Sequence, residues 1–441
     1  MGLKCHLFLG GAFGVNKKYE IRDPIYGFIE LDRWERDIIN HPVFQRLRRI
    51  KQLAWTDMVY PGAVHTRFEH SLGVMHLATL MYEKIVSKKR GYLESRLGYN
   101  GSGLENDKKF VRLAALLHDV GHAPFSHAGE GLMGKNPGTD KPYKHENYSA
   151  AIVEYKFKEV IDEHPYNQNY HITAKQISDF LVGGAGLGRR LFWRSLVAGQ
   201  IDADRADYLL RDAYHIGTNY GSYDLKRLLV TLTIAEHPET RAPMIAVEEG
   251  GLHAAEALII ARYMMFTQVY FHHTRRAYDH HFAGAMKSLL FDVAKRKTFL
   301  PPTSLENIDD YISWDDWKVL GLLNQGKGGQ DAHALKERKH HRCVFNTSEV
   351  PTEAELDRSN EVLDMLSQFE PFVDEPNKSW YSGGESDIMI KRDIAPGQKE
   401  TVPLPFISSV VRGLLPIRQR RIYVSLEDRE EAELLLKRKG C

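Results

Sequence analysis

The chain has 441 residues, 43% of them hydrophobic and 27% charged, the make-up of a folded protein of about two or three domains. Its 59 basic and 58 acidic residues nearly cancel, which disfavours nucleic acid as the main partner and leaves any basic site to be local. No run reaches the ~18 apolar residues of a membrane helix. Three distant cysteines, Cys5, Cys343 and Cys441, fit neither a disulfide framework nor a zinc knuckle, which favours a reducing cytoplasm.

Residues 1–19 read as an N-terminal arm. The apolar run Leu7–Phe13 is too short, and its basic start too weak, for a secretory leader. His6 stands where a myristoylation signal opening at Gly2 needs Ser or Thr. From Trp34 to about residue 297, apolar residues recur at three- and four-residue spacing, as in Phe68–Val86, Phe110–His118, Ile201–His215 and Ala254–Val269. Strand-like alternation is scarce there, so residues 20–335 read as one all-helical domain. Gly98–Asp107, Gly134–Tyr143 and Gly183–Arg190 read as loops, and the last is no P-loop, because no Gly-Lys-Ser/Thr follows. The texture changes at Thr298. Pro301-Pro302, the Gly326–Gln330 stretch and the basic run Lys336–Arg342 form a boundary zone. Beyond it Arg342–Phe345, Asp387–Ile390 and Arg421–Val424 read as strands, and Glu353–Gln368 and Glu427–Lys437 as helices. Residues 336–441 are thus expected to form a small α+β domain behind a mainly α bundle.

The 21 histidines matter by their clustering. Four segments share a chemical theme: His65–His70, His118–Glu130, His145-Glu146 and Asp202–Asp212. After the apolar Leu113–Leu117, His118 and Asp119 stand side by side before the breakers Gly121 and Pro124. Neighbours on a helix point about 100° apart, so both reach one ion only at a helix end facing a cleft. A buried His-Asp pair without a partner is costly, and a metal removes that cost. His70 is a third candidate ligand, at the polar end of an apolar face. Asp204 is a fourth, since Asp204, Tyr208, Arg211 and Asp212 share one helical face. Taken alone, His70 and Asp204 read as ordinary satisfied side chains; the case rests on all four together. Two imidazoles and two carboxylates suit Fe, Mn, Zn, Co or Ni.

The ordered pattern H…HD…D resembles the HD superfamily of metal-dependent phosphohydrolases. Asp23–Gly27, Pro42–Leu53 and Phe68–Val74 are further similar to its deoxynucleoside triphosphate (dNTP) triphosphohydrolase branch, which includes bacterial dGTPases; the likeness covers roughly residues 20–290. The resemblance implies an HD-domain helical bundle that releases deoxynucleoside and inorganic triphosphate. It implies a divalent ion (Mn, Fe, Mg, Zn, Co or Ni) on His70, His118, Asp119 and Asp204, with His122, His127, Glu130 and His145 lining the hydrolytic centre. It places Arg67 at the α-phosphate, Arg205 at the outer phosphates, Tyr208 under the sugar and Asp212 on its 3′-hydroxyl. Gln52 and Leu53 border the sugar, and Tyr278 stands near the base. It also implies a homotetramer with allosteric nucleotide effectors at subunit interfaces, touched by Gln45 and Arg48. A triphosphate carries about four negative charges, which accounts for a cation and arginines together.

Two positions depart from the mammalian members of that branch. Tyr270 stands where they carry a phosphate-binding arginine, with Arg262, Arg275 and Arg276 nearby as substitutes. Asn40 stands where they read an activating guanine with aspartate, and an amide cannot accept the two hydrogen bonds a carboxylate does. Two other functions compete. One is an HD phosphohydrolase acting on monophosphates, cyclic dinucleotides or guanosine tetraphosphate; Asp212 argues against it by repelling a 3′-phosphate. The other is a single-stranded nucleic-acid module built on Arg412, Arg418, Arg420, Arg421 and Tyr423, against which the same cluster reads as an oligomer interface or effector-phosphate site.

Overall fold

The computed structural model describes residues 18–184, 186–378 and 387–440. The readings of the N-terminal arm before residue 18, with Cys5, and of Cys441 lie outside the described residues. Cys343 is a free thiol. No helix among the described residues is long and apolar enough to cross a membrane.

The architecture is mainly helical, as expected. Its spine is the 31-residue helix Arg67–Leu97. That helix starts where Glu69 accepts from the Thr66 backbone N–H at 3.1 Å and hydroxyl at 2.8 Å. It ends at Gly98, whose φ of 65° is the left-handed cap that glycine adopts freely. Helix Gly101–Leu117 packs along it. The glycines at 101 and 103 suggested a loop over 98–107, but the Asn100 side chain accepts from Gly103 N–H at 2.8 Å and starts the helix at Gly101. Helix Ala203–Ile216 crosses the spine, begins on an Asp202 cap and stops at Gly217, φ 74°. Helix Leu252–Met265 ends in a short π-turn, Phe266–Tyr270, followed by helix His273–Ala294.

The stretch 20–335 is not all helical. Strands Tyr19–Asp23 and Gly27–Leu31 form one antiparallel hairpin, and Leu232–Glu236 and Pro243–Glu248 form another. Each strand is only five or six residues long, too short for alternation to stand out against the helical texture around it. The first hairpin turns on Asp23, whose Oδ1 accepts from Ile25 and Tyr26 N–H at 2.8 and 2.9 Å.

Nor do residues 336–441 make one body. Strands Arg342–Asn346, Phe372–Asp374 and Arg421–Val424 form a three-stranded sheet, in the order first, last, middle. Its own small core gathers Val362, Leu366, Ile422, Val424 and Leu436, with helices Glu353–Met365 and Arg429–Arg438 contributing. Strands Met389–Ala395 and Gln398–Pro403 instead extend the second hairpin into a four-stranded sheet, with Val247 paired in parallel to Ile390. Ile388, Ile390, Leu404, Val411 and Ile417 accordingly pack into the main core. Composition revealed the change of texture, but the partner of a strand this far along the chain is set by tertiary packing.

Candidate active site

His118 and Asp119 sit just past Leu117, where helix Gly101–Leu117 ends. The His118 Nδ1–H donates to Ala115 O at 2.8 Å, which leaves Nε2 as a lone pair. That atom is buried without a hydrogen-bond partner. It lies 3.2 Å from Asp119 Oδ1 and 3.8 Å from Asp204 Oδ1. His70, fully buried in the first turns of the spine, is held by Asp207 Oδ2 at 2.8 Å from its Nδ1. Its Nε2 faces Asp204 Oδ1 at 3.0 Å and Asp119 Oδ2 at 3.5 Å. Burial disfavours a charged imidazole there, yet the Asp204 and Asp207 carboxylates raise the His70 pKa to about 10. Donor atoms of His70, His118 and Asp119 lie within 4.8 Å of one another. Two imidazole Nε2 atoms facing two carboxylates fit a divalent metal, which would take the place of the proton that the carboxylates otherwise hold on His70.

The four predicted ligands are thus brought together, and around them lie the other expected groups. Asp119 Oδ2 accepts from Arg67 Nη1 at 2.6 Å, and Arg67 Nε reaches Ser126 Oγ at 3.0 Å. His122 is fully buried and stacks on His145 with ring centroids 3.9 Å apart. Burial, then Arg67 and His145, hold its imidazole well below the ordinary value, so it is neutral. The expected His127–Glu130 pair forms within the 3₁₀ segment Ser126–Leu132, at 3.1 Å, and Glu130 binds His145 with its other oxygen. Although burial disfavours its charge, His127 and His145 hold the Glu130 carboxyl well below the usual carboxylate range.

A cavity of about 530 Å³ opens from this cluster, lined among others by Gln52, Leu53, Arg67, Arg205, Tyr208 and Asp212. A groove of about 680 Å³ elsewhere, against strand Pro243–Glu248, is larger but carries none of the metal-ligating side chains. Asp202 grips Arg205 twice, at its backbone N–H and at Nη1, both 2.7 Å. Asp212 accepts from Tyr270 O–H at 2.6 Å, so Tyr270 braces the Asp212 end of the cavity. Of the three substitute arginines, Arg275 binds the Tyr270 carbonyl and Asp279, and Arg276 binds Asp374. Arg262 lines the cavity beside Tyr208.

Other residues named from the sequence lie outside the cavity. Tyr278 is fully buried between Trp55 and His340 and is not among the cavity-lining side chains; the neighbouring Asp279 is. Gln45 and Arg48 pair with each other at 2.9 Å outside the cavity, with the Arg48 guanidinium 3.5 Å over the Phe68 ring. Of the C-terminal arginines, Arg420 is tied to Asn360 and Arg421 to the Phe271 carbonyl and Gln419, so two members of that cluster serve the fold.

Sequence reasoning missed several supports. Asp207 orients His70 and accepts two bonds from Arg211 at 2.9 Å; its spacing of four from Arg211 was the available signal. Arg46, fully buried, donates to Trp314 O at 2.9 Å and His122 O at 3.0 Å. Asp316 accepts from Phe125 N–H at 2.7 Å and Lys51 N–H at 2.8 Å, clamping two cavity loops together. Burial pushes its carboxyl up to about 7. These last pairings span the whole domain, and no local pattern announces them.

A helical fold with this His/Asp set and an adjoining cavity of about 530 Å³ is that of a metal-dependent phosphohydrolase. Comparison with known proteins agrees. Residues 67–212 match the HD domain and residues 223–361 the HD-associated region, and the chain belongs to the HD superfamily. It is 31% identical over 362 residues to the human deoxynucleoside triphosphate triphosphohydrolase SAMHD1, covering 74% of this chain and 54% of that protein. To the SAMHD1 homologue of Dictyostelium discoideum it is 32% identical over 330 residues, 74% of this chain and 58% of the relative. An uncharacterized protein of Methanocaldococcus jannaschii is 37% identical over 259 residues, 59% of this chain and 47% of the relative. The chain thus spans about half the length of the curated relatives it matches. Among solved structures, a hypothetical protein of Aquifex aeolicus superposes with a TM-score of 0.75 at 28% identity, covering 95% of this chain and all of the other. A Bacteroides thetaiotaomicron phosphohydrolase shares the fold at TM-score 0.69 and 23% identity, over 92% of this chain and all of the other.

Proposed function

We propose that this protein hydrolyses dNTPs to deoxynucleoside and inorganic triphosphate. The observation that carries the reading is the continuity of the metal set with a cavity whose wall bears Arg67, Tyr208 and Asp212 in sequence. The names of the SAMHD1 relatives support it. A divalent cation on His70, His118, Asp119 and Asp204 would neutralise phosphate charge and acidify water. The chain's own residues do the rest. Arg67 binds the α-phosphate and stabilises charge as it builds on the non-bridging oxygens. Arg205 takes the outer phosphates. Asp212 accepts a hydrogen bond from the 3′-hydroxyl while Gln52 and Leu53 crowd the 2′-position. Water attacks the α-phosphorus, the bond to O5′ breaks, and triphosphate keeps the water oxygen. A proton must reach O5′ as it leaves. His127, exposed and tied to Glu130, is the proposed donor.

A homotetramer with a nucleotide effector at Gln45 and Arg48 belongs to the same reading. The support is their mutual pairing on the surface outside the cavity, with Asn40 also exposed. The test is product analysis with each dNTP, alone and in pairs, in Mn²⁺ or Mg²⁺. Intact triphosphate and deoxynucleoside are expected. Turnover only of paired nucleotides establishes the effector. Asp204→Ala is expected to abolish turnover, and full activity in that variant refutes the metal assignment.

A further inference from the structure

One wall of the cavity can be followed from the metal set through a series of contacts. Asp204, Tyr208 and Asp212 follow at one-turn spacing on helix Ala203–Ile216. Tyr270 takes over by donating its hydroxyl to Asp212 at 2.6 Å, and its carbonyl binds Arg275. Arg275 Nη2 then lies 3.1 Å from Asp279 Oδ2. Asp279 ends this chain of contacts, linked through Arg275 and Tyr270 to the group assigned to the sugar, and it lines the cavity.

Its two oxygens are not equivalent. Oδ2 has the arginine, whereas Oδ1 is buried without a hydrogen-bond partner. Leaving an acceptor in that state is costly, and a ligand that brings an N–H to it recovers the cost. Burial pushes the Asp279 carboxyl up, and Arg275 and Arg276 pull against that.

We propose that Asp279 is a specificity-determining residue, whose Oδ1 accepts a hydrogen bond from the amino group of the nucleobase. The inference rests on the dNTP reading and deepens it by naming a substrate class, bases that present an amino group at their pairing edge. Cytosine and thymine make the cleanest contrast. They have the same ring size, but C4 carries an amino donor in one and a carbonyl in the other. The carbonyl oxygen would confront the carboxylate oxygen, acceptor against acceptor.

The experiment is kcat/KM for dCTP and dTTP with Mn²⁺-loaded wild-type protein, Asp279→Asn and Asp279→Ser, alongside binding of the α,β-imido analogues of both nucleotides. The wild type is expected to favour dCTP by about tenfold or more. Asp279→Asn, which can offer an N–H to a carbonyl, is expected to erase or reverse the ratio. Asp279→Ser removes the carboxylate with less bulk and is expected to bring the ratio near unity, so the result does not hang on one variant folding. A wild-type ratio within about twofold, a preference for dTTP, or a ratio unmoved in the variants overturns the role of Asp279 alone. Absence of both turnover and analogue binding, with metal bound, overturns the dNTP reading and this inference with it.

Discussion

His65 and Asp212 form a buried pair, with His65 Nε2 2.8 Å from Asp212 Oδ1. The ring is clamped flat against His215, centroids 4.4 Å apart and planes 10° off parallel. With Tyr270 on the other oxygen, the Asp212 carboxylate has no freedom to turn. In the proposed reaction it holds the sugar, so His65 acts as a positioning residue. His65→Phe keeps a ring in the stack but removes the bond. A hydrogen bond to a charged group contributes about 1.5–3 kcal/mol, so KM for a dNTP is expected to rise at least about tenfold. Metal content should not change. Steady-state kinetics with metal analysis checks both, and a fall in kcat with KM constant would contradict the assignment.

Asp207 offers a second measurement that needs no substrate. It fixes the His70 tautomer so that Nε2 points at the ligand set. Removing such an outer partner typically costs ten- to a hundredfold in metal affinity, roughly. Asp207→Ala is therefore expected to weaken Mn²⁺ binding by that factor, read by titration calorimetry. Unchanged affinity would show that His70 is oriented by packing alone.

Glu35 contributes to stability in acid. Its carboxylate, almost wholly buried, joins helix Arg33–Asn40 to Lys109 and Arg112 of the helix leading to His118. Burial disfavours the charge, but Arg112 and Lys109 draw its pKa down to about 2 from 4.5. A depressed folded-state pKa gives stability that is full above the unfolded value and is lost as the carboxylate protonates. The window is pH 4.5 down to about 2, and the contribution is about 3 kcal/mol. Denaturant midpoints measured across that window should fall in the wild type and stay flatter in Glu35→Gln. Parallel curves would show that the ion pairs are inert.

Gly121 makes the turn after His118-Asp119 possible. A Cβ there would lie 2.1 Å from Ser149 N and 2.5 Å from His145 O, so any side chain must push helix His145–Lys156 away. Gly121→Ala is expected to cost about 3 kcal/mol, as overpacking does. It should also shift His145, separating it from His122 and Glu130. A thermal melt and an activity assay check the two effects, and wild-type values in both would mean the backbone yields more easily than this contact suggests.

The metal site was legible because its residues carry their meaning locally. An imidazole and a carboxylate at the end of an apolar run are visible without the fold, whereas His70 and Asp204 gained meaning only beside them. Helical spacing put Tyr208 and Asp212 on the same face, while their roles came from the family resemblance. The supports were not legible, for a physical reason. Arg46 reaches Trp314 and His122, and Asp316 reaches Lys51 and Phe125, across separations that only the folded core defines. Tyr278 shows the limit of carrying a role by position: its ring is taken up by Trp55 and His340, and the side chain that faces the cavity is the next one along. The two early hairpins escaped because strands of five residues leave little alternation to see.

The four-stranded sheet has a practical consequence. Strand Pro243–Glu248 is flanked on one side by its hairpin partner and on the other by Met389–Ala395, which arrives from far downstream. A fragment ending at residue 361, where the match to the HD-associated region stops, would leave that second side bare. An uncovered strand edge is a template for self-association, so such a fragment should clump instead of behaving as a minimal enzyme. The C-terminal segment acts as a cap on an adhesive edge, and any shortened version of this protein has to keep it or replace it.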